Sequence, residues 1–154
     1  MPDIAARSVP VGGVLDQVEF TVEEGKIAEF ARATHAADPV HTRTAAAVET
    51  GLAAIAATPT HVVVAGHHRD QQAFVAALGL AIERIVVGSV DWEYERPLVA
   101  GDRLTGTRRV VDDTVREGRR GGNMRLVTLE TRWIDDRGDV AVTVREVLIE
   151  RGAK

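Results

Sequence analysis

The chain contains no cysteine. That absence removes thiol nucleophiles, disulfide staples and cysteine-ligated zinc together, and the reducing cytoplasm is the expected compartment. Long apolar runs are missing too: nothing approaches the ~20 consecutive apolar residues that a bilayer-spanning helix requires. Residues 1–13 carry neither a charged leader nor an apolar export core, so no membrane association is expected. Nor does one charge sign dominate. Lysine and arginine number 19 against 23 aspartates and glutamates, the pI is near 5.7, and the arginines are scattered among carboxylates, leaving no basic face for nucleic acid. A metal centre is not expected either. His61, His67 and His68 lack an acidic partner at ligand spacing, and adjacent histidines do not readily chelate one ion.

What is present is an ordinary globular composition, 45% hydrophobic and 27% charged, which excludes disordered and fibrous classes. At 154 residues the chain suits a single domain, able to bury roughly two thirds of the surface its extended form exposes.

Residues 1–13, punctuated by proline and glycine, read as an N-terminal arm. Thr21-Val22-Glu23-Glu24 has the form of a capping box, and Ile27, Phe30, Ala31 and Thr34 follow at helical spacing. Pro39 disfavours helix at Asp38, so residues 35–41 should form a loop. A second short helix is predicted from Thr44 to a stop at Gly51. Thr58 and Pro59 suit an N-cap and first helical position, opening a long apolar helix that runs to Gly79 with a break near Gly66. Beyond Gly79 the period becomes two. Val90, Trp92 and Tyr94 alternate with Asp91, Glu93 and Glu95. Pro97 and Gly101-Asp102 then lead into a strand with Leu104 and Val110. A further strand holds Val127, Leu129, Thr131 and Trp133, a tight turn spans residues 135–138, and a last strand carries Val140 to Ile149. The apolar phase switches between Val144 and Val147, which predicts a bulge. These strands predict an antiparallel meander, apolar on one face and covered by the long helix.

Helices first, then a long helix wrapped by an antiparallel sheet, resembles the hot-dog fold, an α+β architecture. Three segments extend that likeness to MaoC-like proteins. The run His41-Thr42-Arg43-Thr44 through Gly51 is similar to the helix after their hydratase loop. Ala57-Thr58-Pro59-Thr60 resembles the start of their central helix. Trp92-Glu93-Tyr94-Glu95-Arg96-Pro97 through Leu104 resembles the strand and glycine-aspartate turn of the N-terminal domain of type I fatty-acid-synthase-like dehydratases. The resemblance covers residues 14–152 as one domain. It implies an (R)-specific enoyl-thioester hydratase or 3-hydroxyacyl-thioester dehydratase acting on coenzyme A or acyl carrier protein thioesters, with no further cofactor. It also implies a homodimer, or a heterodimer with a second hot-dog chain, with the thioester between the two subunits. Addition of water needs a base and an acid within hydrogen-bond reach of the substrate. The resemblance further implies that backbone N–H groups at the start of the central helix, in the stretch Pro59, Thr60 and His61, take the charge that develops on the thioester oxygen.

One departure matters. Catalytic relatives carry D-x-N-P-x-H. Anchored on Pro39 and His41, that pattern puts Ala36 where the aspartate belongs and Asp38 where the asparagine belongs. As an enzyme the chain would be a hydro-lyase with His41 polarising water and Asp38 assisting. Losing a positioned acid-base group costs ~10²- to 10⁴-fold, so a non-catalytic accessory subunit or a thioester-binding protein is the alternative. Asp38 could equally form an Asx turn before Pro39. Tyr94 and Arg96 are candidates for substrate contact, while Trp92 suits ordinary core packing. Arg116, Arg119 and Arg120, flanking Gly121-Gly122, either reach coenzyme A phosphates or sit in a solvated hairpin.

Overall fold

The computed structural model describes residues 9–118 and 122–152, so Arg119, Arg120 and Gly121 lie outside the described residues. The chain opens with strand β1 (Val14–Thr21), not a helix. Helix α1 (Glu24–Ala33) follows, then a 3-10 turn over Pro39–His41 and helix α2 (Thr44–Glu49). A 3-10 run over His61–His68 and helix α3 (Gln71–Ala77) precede strands β2 (Ile85–Tyr94), β3 (Arg103–Glu117), β4 (Asn123–Asp135) and β5 (Val140–Arg151). All pairings are antiparallel, in the order β1-β3-β4-β5-β2. Thus β3, β4 and β5 form the meander, while β2 closes the far edge beside β5 instead of preceding β3 in space.

Three expectations need correction. The capping box is not formed: Thr21 ends β1, and Glu23 caps α1 without a side-chain bond. The long helix is not continuous. Val62, Val63 and Val64 are β-branched and stiff at χ1, Gly66 follows, and the Asp70 carboxylate accepts the Ala73 N–H at 2.9 Å to start a new helix. Two short segments therefore replace one rod, and Thr58 caps neither of them. Between Val144 and Leu148 β5 keeps its phase; the register breaks lie on β2 at Gly88, opposite Val147 and Leu148, and earlier on β5 at Ala141, between the residues that face Trp133 and Ile134. Glu146 takes the inward position between Val144 and Leu148, and that is what imitates a change of face in the sequence.

The inner face of the sheet meets the helical segments in two apolar clusters. Val62 and Ala65 pack with Phe20, Leu104, Trp133 and Val142. Phe74, Val75 and Leu78 pack with Val110, Val127, Leu129 and Leu148. Burial of each such Val, Leu or Phe side chain is worth roughly 1.5–3 kcal/mol, so these contacts hold the split helix on the sheet despite its poor continuity. Gly106 makes room for the Trp133 ring, because a Cβ there would stand 2.4 Å from the indole. Within the N-terminal region, Gly12 N–H donates to the Val110 carbonyl at 2.7 Å and Val110 N–H donates to Gly13, so residues 12 and 13 are tied to the sheet edge.

Candidate functional site

The loop that carries His41 begins at an unusual helix end. His35 adopts φ +56°, a left-handed conformation more often given to glycine. This lets the Ala36 N–H reach back to the Ala31 carbonyl at 2.8 Å, with the Thr34 N–H on Phe30. Backbone bonds alone therefore fix Ala36. Two residues on, the Asp38 carboxylate accepts the Val40 N–H at 3.0 Å and caps the 3-10 turn.

His41 ends that turn half-buried. Its Nδ1 lies 2.8 Å from the Ala56 carbonyl, an acceptor, so Nδ1 carries the proton and Nε2 keeps a lone pair. The Ala56 N–H returns a bond to the Val40 carbonyl at 3.0 Å. Residues 55–57 are held in turn by the turn after β2: Ala57 N–H donates to Leu98, Ala100 N–H donates to Ile55, and Ala56 bridges Val99.

The next segment contributes two backbone features and a buried ring. Pro59 has no N–H, and the His61 N–H is already bonded to the Thr58 carbonyl at 3.0 Å. The Thr60 N–H makes no hydrogen bond among the described residues, which leaves it as the available donor of the three. The Tyr94 hydroxyl donates to the Pro59 carbonyl, fastening this segment to β2, and burial pushes the phenol up to about 12, so it stays protonated. The His61 side chain is fully buried, edge-on to Phe30 with ring centroids 5.5 Å apart. Among the described residues neither of its ring nitrogens has a hydrogen-bond partner, nor does the buried Thr58 hydroxyl. Desolvation lowers the His61 pKa, keeping the ring neutral. The His61 side chain thus faces the core, while its backbone N–H closes the turn onto Thr58.

Arg96 stands apart. It makes a two-pronged bond to Asp102 at 2.8 and 3.1 Å and a third bond to Asp135 at 3.1 Å. Partial burial acts to raise the Asp135 pKa, but bonds from Arg96, the Asp139 and Arg137 N–H groups and the Arg137 guanidinium hold it down at about 2. The guanidinium therefore staples the turn after β2 to the β4–β5 turn. Arg116 lies on β3, near the tip where Gly118 N–H donates to Gly122. Among the described residues no group of three or more His, Asp or Glu side chains could hold a metal ion, and no helix is long and apolar enough to cross a membrane.

Sequence reasoning placed residues 35–41 after the first helix as a loop and Tyr94 on a strand, as observed. It missed Ala56, whose carbonyl sets the imidazole tautomer; a backbone acceptor 15 residues away leaves no mark in residue type.

Comparison with known proteins places this geometry in a family. The model of the FAS1-like dehydratase domain region matches residues 10–144. A UPF0336 protein of Clavibacter michiganensis subsp. michiganensis is 34% identical over 152 residues, covering 98% of this chain and 95% of its own. Among solved structures, the C-terminally truncated HadBC (3R-hydroxyacyl-ACP dehydratase) complex of Mycobacterium tuberculosis superimposes with a TM-score of 0.74 at 23% identity, covering 86% of this chain and 90% of the other. The R-hydratase PhaJ1 of Pseudomonas aeruginosa gives 0.67 at 18% identity, covering 95% and 84%. The sheet and its helical cover are those of a MaoC-like hot-dog protein, and the chain belongs to the FAS1-like dehydratase family.

Proposed function

We propose that the chain is one subunit of a (3R)-hydroxyacyl-thioester dehydratase, or in the reverse direction an enoyl-thioester hydratase, and that it works beside a second hot-dog chain carrying a complete loop. The observation that carries this reading is the Asp38 carboxylate on the Val40 N–H, with Ala36 in the place of the expected acid. Half of the acid-base pair is ready, since His41 offers an unprotonated Nε2. The other carboxylate is committed to capping. The thioester, of coenzyme A or acyl carrier protein, would lie with its carbonyl oxygen toward the Thr60 N–H, where developing negative charge is stabilised.

Pairing has its own support. β2 is an edge strand ten residues long that pairs only with β5 among the described residues, and it exposes Val86 and Val87. Such an edge is a template for another strand. The HadBC relative is itself described as a complex.

The test is hydration of crotonyl-CoA by the purified chain, alone and with a hot-dog chain that has the full loop. Alone, wild type should match its His41→Ala variant, and the mixture should turn over. Turnover by the chain alone that His41→Ala abolishes would replace this reading with an autonomous hydro-lyase using His41 and Asp38.

A further inference from the structure

A cavity of about 260 Å³ separates the split helix from the inner face of the sheet. Its walls include Phe74, Trp92, Trp133 and Val144, and the exposed Val63 stands on its rim. Trp92 in its wall stands two residues along β2 from Tyr94, whose hydroxyl donates to the Pro59 carbonyl, although neither Tyr94 nor Pro59 lines the cavity. Its size is below the ~300–1,000 Å³ usual for a whole ligand, and fits one segment of a larger molecule.

Three charged side chains also line it: Arg69, Arg108 and Glu146. Both arginine side chains are only 6% exposed, and both donate to Asp16. Arg108 lies over the Phe74 ring at 4.1 Å, and Arg69 over the Trp133 ring at 5.5 Å. One carboxylate cannot occupy two guanidinium forks, which together present ten N–H donors. The Arg108 Nε is buried and has no hydrogen-bond partner among the described residues. The Glu146 carboxylate accepts no hydrogen bond among the described residues. Unused donors and an unused acceptor therefore share one small, mostly apolar space. Leaving the buried Arg108 Nε unmatched is costly, so a site of this kind favours a ligand that brings it an acceptor, with the half-buried Glu146 carboxylate beside it.

We infer that this cavity receives part of an acyl chain bearing a hydroxyl group, which accepts from Arg108 and donates to Glu146. The acyl identity rests on the thioester reading above; the hydroxyl preference rests on the cavity alone. Charge selects the group. Arg69 and Arg108 are formally balanced by Asp16 and Glu146, so a carboxylate would enter as an uncompensated anion, whereas a hydroxyl adds no charge. A bare hydrocarbon would leave the buried Arg108 Nε without an acceptor.

Both tryptophans of the chain, Trp92 and Trp133, face the cavity, so its occupancy is read from intrinsic fluorescence. The full-length protein is titrated with hexan-1-ol, 1-fluorohexane and hexanoate. Hexan-1-ol should bind about tenfold more tightly than either of the others, the effect of a hydrogen bond to a charged group. In Glu146→Leu that preference should shrink to within about threefold. Equal binding of 1-fluorohexane, tighter binding of hexanoate, no fluorescence response, or an undiminished preference in Glu146→Leu would each overturn the inference. The wild-type comparison decides even if the variant does not fold. Crotonyl-CoA binding is measured separately, so its loss with alcohol selectivity intact would count against the thioester reading alone.

Discussion

His41 Nδ1 lies 2.8 Å from the Ala56 carbonyl, and this bond leaves Nε2 as the one basic nitrogen of the ring. A carboxylate introduced at position 36, whose backbone is already fixed by the bond to Ala31, should supply the missing acid. Ala36→Asp is expected to raise crotonyl-CoA hydration by the chain alone by ~10²-fold, the lower range for a positioned acid-base group. The added His41→Ala change should remove the gain. No gain in Ala36→Asp would count against the loop alignment.

Asp38 is assigned to structure. Asp38→Ala removes a cap worth about 1 kcal/mol, so Tm should fall by roughly 2–4 °C. Asp38→Asn keeps an acceptor oxygen and should retain most of that stability. A loss of turnover in the paired complex with Asp38→Asn, at unchanged Tm, would return Asp38 to the chemistry.

His61 makes stability depend on pH. The unfolded imidazole takes up a proton near 6.5, while burial holds the folded one lower. Between those values unfolding gains a proton, so stability falls as pH falls. Urea midpoints measured from about pH 7 to about pH 5 should decline in wild type and flatten in His61→Leu. An identical slope in the variant would place the titration elsewhere.

Gly106 has no room for a methyl group. Gly106→Ala pushes Cβ to 2.4 Å from the Trp133 ring, an overpacking expected to cost about 1–3 kcal/mol by chemical denaturation. A neutral result would mean that the indole can move aside.

Val87 stands 57% exposed on the β2 edge. A lysine there is a device that blocks strand addition. Val87→Lys should weaken association, with itself or with a second hot-dog chain, by about tenfold in sedimentation experiments. Unchanged association would move the pairing surface off this strand.

The two hardest parts of the sequence to read share a cause. β1 hides because Asp16 takes an inward position ahead of Val18 and Phe20 and a register break between Val14 and Asp16 turns Val14 outward, and β5 looks bulged at 144–147 because Glu146 takes the inward position between Val144 and Leu148. Both acids face inward beside Arg69 and Arg108, which lie on other elements. Alternation in hydropathy assumes an apolar interior; a buried ionic cluster breaks that assumption at each strand it touches. By contrast α1, α2 and the strands with Trp92, Leu129 and Trp133 followed their periods, because their inward side chains are apolar. The long helix was misread for a different reason. Its composition is helical in length but β-branched in detail. At the candidate site, residue types singled out His41 and Asp38 for attention, while the Ala56 carbonyl and the Thr60 N–H are backbone groups that any sequence carries.

The backbone bonds that run from the imidazole through Ala56 and Ala57 to Leu98 mean that the loop is not a portable module. Residues 34–41 grafted onto another scaffold would bring the histidine without the carbonyl that orients it. An engineer wishing to move this centre would have to transplant three discontinuous stretches together, and evolution, altering the centre, would have to keep all three in step.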